Sequence, residues 1–174
     1  MNKRLYEFFT SDHNRIDQLL KKAIENPAKI DMYYYYQFRT QILKHIMMEE
    51  KIFFQAAKKA NLELMQELLP QFRLEHGAIT ALMVPPPTLE LIKVIKYMLE
   101  IHDQKEESPG GMYEICEALT QGQTETLLEQ LTQSEEVPVH PPNPAPIAVD
   151  SAKRALIRAG YDYDEILRIA PTLG

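Results

Sequence analysis

Four stretches of this chain place apolar residues at steps of three and four, and each carries one histidine where the pattern calls for leucine or isoleucine. The first runs Phe9, His13, Ile16, Leu20, Ala23, and the second Tyr35, Phe38, Ile42, His45, Glu49, Ile52, Ala56. The third runs Leu62, Met65, Leu69, Phe72, His76, Ile79, Met83, and the fourth Leu91, Val94 or Ile95, Met98, His102, Glu106. A repeat of about 3.6 residues puts each set on one face of an α-helix. Such a face has to be covered, so the four helices are constrained to share a core.

The breaks between the stretches are as explicit as the stripes. Asn26-Pro27 interrupts the first, Asp31 and Asn61 suit the caps of the second and third, VPPP at 84–87 stops the third, and SPGG at 108–111 stops the fourth, which begins near Thr88. Short connections return each helix antiparallel to the last, so the expected fold is all-α, an up-down-up-down four-helix bundle. Met112 to Leu119 and Thr124 to Leu131 read as shorter helices that follow it. VPVHPPNPAPIAV reads as an extended connector, and residues 150–170 as one or two short C-terminal helices able to dock on the bundle or on another subunit. The expected division is therefore 1–135 for the bundle and the short helices after it, 136–149 for the proline-rich connector, and 150–174 for a helical appendage.

With 25% charged and 45% apolar residues and a net charge of -6, the chain has the composition of a globular protein. It carries neither a basic nucleic-acid footprint nor a polybasic membrane patch. No apolar run is long enough to span a bilayer, and the single Cys116 excludes an intrachain disulfide framework. A cytoplasmic protein is expected, with small molecules, metals or proteins as partners.

His45 with Glu49 and His102 with Glu106 are spaced four apart, so each pair offers an imidazole and a carboxylate on one helix face. Alone, such a pair is ordinary, and a lone inward histidine is more often a hydrogen-bonded core residue. Together with His13 and His76 the pattern is harder to explain without a metal. Four histidines and two carboxylates in one core would need a fully satisfied polar network, because each unpaired member is costly to bury. Six donors exceed the set of one tetrahedral zinc, and they suit two ions of higher coordination number, each with two histidines, bridged by Glu49 and Glu106. Imidazole and carboxylate without thiolate favour iron or manganese, with zinc as an alternative. A bridging oxide or hydroxide would offset part of the remaining positive charge.

The segments SDHNRIDQLL at 11–20, HIMMEEKIFF at 45–54, LEHGAI at 74–79 and HDQKEESPGGMY at 102–113 together resemble the hemerythrin-like, or HHE cation-binding, family. The resemblance covers about residues 5–120 and implies a four-helix bundle around a non-haem di-iron centre. Carried over by position, it implies His13, His45, Glu49, His76, His102 and Glu106 as the ligands. Two departures stand out. Where oxygen-carrying members have a further histidine one turn before His76, this chain has Phe72. Their last carboxylate follows the fourth-helix histidine by five residues, which would select Glu107 instead of Glu106. The missing imidazole argues against reversible oxygen transport and is closer to the family's iron-sensing and repair branches, although these 174 residues include neither a regulatory partner domain nor the N-terminal cysteine region of repair proteins.

Several neighbours have plainer readings. Asp17 repeats the four-residue spacing from His13, which would permit a ligand, while the family resemblance implies a surface acid or a group supporting a ligand from behind; Glu50 and Glu107 read as solvated flanks, with support of the neighbouring ligands as the alternative; Tyr6, Tyr34 and Tyr35 read as aromatic packing, with hydrogen bonding near a pocket mouth as the alternative; Cys116 reads as a small buried residue; and His140 lies too far along to join the others. The leading functional expectation is a di-iron protein that binds or senses a small diatomic ligand, dioxygen or nitric oxide, or takes part in iron handling. The alternatives are a di-iron oxidoreductase consuming peroxide or another small oxidant, and a metal-stabilised interaction module that meets a partner or a second copy through its C-terminal segment.

Overall fold

The computed structural model describes residues 3–26 and 28–173 and is all-helical, with no strand among them. Four long segments carry the stripes: α1 (Arg4–Ala23), α2 (Met32–Met48) continuing through one π-helical turn (Glu49–Phe53) into α3 (Phe54–Ala60), α4 (Leu62–Leu82) and α5 (Leu89–Glu107). Three of the starts are fixed by side chains that accept orphan backbone N–H groups: Asp31 from Tyr33 and Tyr34, Asn61 from Leu64, and Thr88 from Leu91. The expected break at Asn26-Pro27 involves Pro27, which lies outside the described residues; α1 itself ends at Ala23.

The core consists of two apolar clusters, with the histidines between them. One contains Ile16, Leu20, Phe38, Ile42, Ile79, Leu82, Ile95 and Met98; the other contains Leu5, Phe9, Phe53, Phe54, Met65, Leu69, Phe72 and Tyr113. Along α1 the chain passes from the second cluster to the first, along α2 and α3 from the first to the second, and along α4 back again. On α1, α2–α3 and α4 the polar residues sit where the chain crosses from one cluster to the other, and on α5 His102 and Glu106 follow Leu99, its last residue in the first cluster. α1 packs on α2, α3 on α4, α4 on α5, and α1 on α5.

Two stripe positions differ from expectation. The π-helical turn inserts an extra residue, so the buried face advances: Ile52 is only half-buried while Phe53 and Phe54 are fully covered. Leu62, the first residue of α4, lies beyond the packed region and is exposed.

The remaining helices close around this frame. α6 (Met112–Leu119) packs on α1, α3 and α5, and α7 (Thr124–Gln133) on α1 and the π-helical turn. The connector is extended as expected, pinned where the Arg39 guanidinium donates to the His140 carbonyl at 2.9 Å and the Asn143 N–H donates to the Val84 carbonyl at 2.8 Å. It ends earlier than position 149, because α8 (Pro146–Ala159) starts on a proline whose missing N–H is no loss in a first turn. Buried Ala148, Ala152, Ala155 and Ala159 form a small-residue face on α8, which lies against α4. α9 (Tyr163–Ile169) covers α5, so the C-terminal segment docks on its own chain. Among the described residues no helix is long and apolar enough to cross a membrane.

Candidate metal centre

The local helix geometry delivers six donors to one interior. His13, His45, His76 and His102 are each less than a tenth exposed, and Glu49 and Glu106 are fully covered. Their donor atoms form two groups able to hold a metal ion, His13, His45, Glu49 and Glu106 in one and Glu49, His76, His102 and Glu106 in the other. Both carboxylates belong to both groups. Glu49 turns Oε1 to His45 Nε2 at 3.3 Å and Oε2 to His76 Nε2 at 3.1 Å. Glu106 turns Oε2 to His13 Nε2 at 3.5 Å and Oε1 to His102 Nε2 at 3.2 Å.

Every imidazole faces inward through Nε2 because a carboxylate holds its other nitrogen. Nδ1 lies 2.6 Å from Glu107 in His13, 2.8 Å from Asp12 in His45, 2.8 Å from Glu50 in His76 and 2.8 Å from Glu75 in His102. An ionised carboxylate only accepts, so each Nδ1 carries the proton and donates it. In the neutral ring that binds a metal, this leaves the Nε2 lone pair aimed at the interior. Sequence reasoning missed Asp12 and Glu75, and for Glu50 and Glu107 it preferred solvated flanks over the supporting role that the geometry gives them. All four adjoin a site residue in the chain, and that adjacency was the available signal.

The interior is built for positive charge. Burial by itself lowers His45, and Glu49 and Asp12 outweigh it, raising the imidazole to about 10. Burial opposes the charged form of His102 and His76 too, yet Glu106 lifts the first well above the usual range and Glu49 with Glu50 lifts the second. Conversely, burial raises Glu49, but His45 and His76 hold its carboxyl well below the usual range. Glu75 is held at about 2 against its burial, chiefly by the hydrogen bond from His102. Two fully buried oxygens, Glu49 Oε2 and Glu106 Oε1, have no hydrogen-bond partner, and both face the His76 and His102 side. There the two Nε2 atoms stand 2.9 Å apart. A cation among these atoms satisfies both oxygens and both lone pairs at once, so the residues present fit one.

Tyr113, which the sequence reading did not single out, enters the same interior from α6. Its Oη lies 3.1 Å from His13 Nε2, 3.2 Å from His45 Nε2, 2.5 Å from Glu49 Oε1 and 3.0 Å from Glu106 Oε2. Burial, then the charges of Glu106 and Glu49, push the phenol well above its usual range. Phe72 occupies the other side, edge-on to the His102 ring at 5.5 Å.

Glu106 and not Glu107 reaches both histidine pairs, and Glu107 instead holds His13. Asp17 is not among the grouped donors: it pairs with Lys21 at 2.6 Å and is nearly half exposed. His140 is exposed and contributes only its carbonyl, to Arg39. Tyr6 donates to the Glu107 carbonyl, Tyr34 receives the Lys22 ammonium on its ring, and Tyr35 is a core residue. Cys116 is buried, its thiol pushed up by burial, and it belongs to neither donor group.

No protein-family model, curated protein or solved structure matches this chain.

Proposed function

We propose that this protein is a hemerythrin-like four-helix bundle that holds two non-haem iron ions and uses them to bind or sense a small ligand such as dioxygen or nitric oxide, or to handle iron. The observation that carries this reading is the sharing of Glu49 and Glu106 between two four-donor groups. Two carboxylates that each turn one oxygen to each histidine pair are arranged as bridges, and bridges imply two ions. The reversal of the chain between the two apolar clusters supports the up-down-up-down arrangement. The donor set, imidazole and carboxylate without thiolate, supports iron over softer alternatives.

Bound there, an iron pair supplies Lewis acidity and one-electron exchange toward a small donor ligand. The chain's own residues orient and shield. Asp12, Glu50, Glu75 and Glu107 fix the imidazoles. The rings of Phe54 and Phe72 exclude water on the His76 and His102 side. A cleft of about 270 Å³ lined by His13, Leu99, Asp103 and Glu107 lies on the His13 side, where a small molecule would approach.

The test is anaerobic purification of the whole chain, metal counting, and optical spectra before and after dioxygen or nitric oxide. Two irons per chain and a spectrum that responds to the ligand are expected. One zinc per chain, or no metal, overturns the reading.

A further inference from the structure

We propose that Tyr113 is a fifth protein ligand, a phenolate donor to the ion held by His13 and His45, and that it makes the two metal positions chemically unequal. This rests on the metal reading above and deepens it.

The spacing of the phenol oxygen is that of a co-ligand. Neighbouring donors on an ion with bonds of about 2.1 Å stand about 3 Å apart. Tyr113 Oη is 2.5 to 3.2 Å from all four donors of the His13 group. An atom adjacent to each of four donors is placed to share one ion with them. The four donors themselves lie within 4.8 Å of one another.

Hydrogen bonding alone leaves this arrangement in conflict. The two carboxylate oxygens only accept, and the two Nε2 atoms, whose rings donate through Nδ1, also present lone pairs when neutral. With the rings neutral, the state in which they bind a metal, one phenol proton faces four acceptors and can serve one. A cation shared by these atoms would relieve the crowding of lone pairs. Nor can the ring swing clear: it lies against Phe9 at 5.2 Å and Phe53 at 6.2 Å, with Tyr6 edge-on at 6.3 Å.

The other position has no counterpart. Around His76 and His102 stand the rings of Phe54 and Phe72. Phenolate is a hard anionic donor, so the His13 position favours a ferric ion, while the His76 position has only two imidazoles and the shared carboxylates. As the metal–oxygen bond forms, the phenol O–H breaks and its proton passes to bulk water; no oxidation state changes in that step.

The full-length chain is reconstituted with ferrous iron, oxidised in air, counted for iron, and measured by visible absorption and resonance Raman. The wild type is expected to show a phenolate-to-ferric charge-transfer band with tyrosine ring modes that shift on ring deuteration. Tyr113→Phe is expected to lose band and modes while retaining two irons per chain, and Tyr6→Phe to keep them. Iron-loaded wild type without these modes overturns the assignment of Tyr113 and leaves the di-iron reading standing; wild type that binds no iron overturns both. Modes that survive Tyr113→Phe also overturn it. Should Tyr113→Phe fail to fold, the modes of the wild type and of Tyr6→Phe decide between these outcomes.

Discussion

Glu49 and Glu106 reach the same interior from the π-helical turn after α2 and from α5, each fully covered, and each divides its two oxygens between two histidine pairs. Neither oxygen pair is redundant. The halves facing His13 and His45 meet Tyr113, while those facing His76 and His102 have no hydrogen-bond partner. The division of labour between shared and unshared donors determines how the centre should respond to substitution.

A shared donor should affect both positions, and an unshared one mainly its own. On the proposed two-ion reading, His76→Ala is expected to reduce metal content from two ions per chain to about one, with the His13 group retained. Glu49→Gln is expected to bring it below one. Metal counting on both variants, loaded identically, checks this; equal losses in the two would contradict the shared arrangement.

Phe72 stands edge-on over His102 from the turn of α4 before His76. Phe72→His is therefore expected to bring a fifth imidazole to the His76 position, with two irons retained and the ligand-field spectrum altered. An optical spectrum identical to wild type would mean that the side chain at 72 does not reach the metal.

Gly111 sits where the chain turns from α5 into α6. A Cβ there would lie 2.7 Å from the carbonyl oxygens of Lys105, Glu106 and Ser108. Backbone atoms cannot yield as a flexible side chain can, so Gly111→Ala is expected to destabilise the fold by roughly 1–3 kcal/mol. It should also draw α6, and with it Tyr113, away from the centre. Thermal unfolding and metal affinity measured together test both consequences; a variant as stable as wild type would show that the turn relaxes freely.

Tyr35 is fully buried with no partner for its hydroxyl, and burial raises the phenol to about 12 although Arg39 opposes this. Below pH 10 the phenol is neutral in both folded and unfolded chains and has no pH effect. Between about pH 10 and 12 the unfolded chain loses its proton first, so stability falls by about 1.4 kcal/mol per pH unit from this residue. Tyr35→Phe is expected to match or exceed wild-type stability at neutral pH, since it removes an unpaired polar group. It should also show a shallower alkaline decline in denaturant titrations. A variant clearly less stable at pH 7 would reveal a partner for the hydroxyl.

The sequence by itself determined what depends on neighbours in the chain. Steps of three and four dictated the helices and the burial of Phe9, Ile42, Ile79 and Met98, and the i,i+4 spacing placed His45 over Glu49 and His102 over Glu106. Caps at Asp31 and Asn61 and a helix start near Thr88 were legible because each signal acts within three residues of itself. Only the tertiary structure decided which histidines pair, His13 with His45 and His76 with His102, because that follows from how separate helices pack. The choice of Glu106 over Glu107 turned on about 100° of rotation around one helix axis, which the phase of α5 against its neighbours sets. The register shift at Glu49–Phe53 was invisible as well, since a π-helical turn leaves no periodic mark until the residues beyond it are seen to be buried. Tyr113 arrives from a short helix outside the four stripes, and no spacing within the chain reports a contact between Tyr113 and His13, one hundred residues apart.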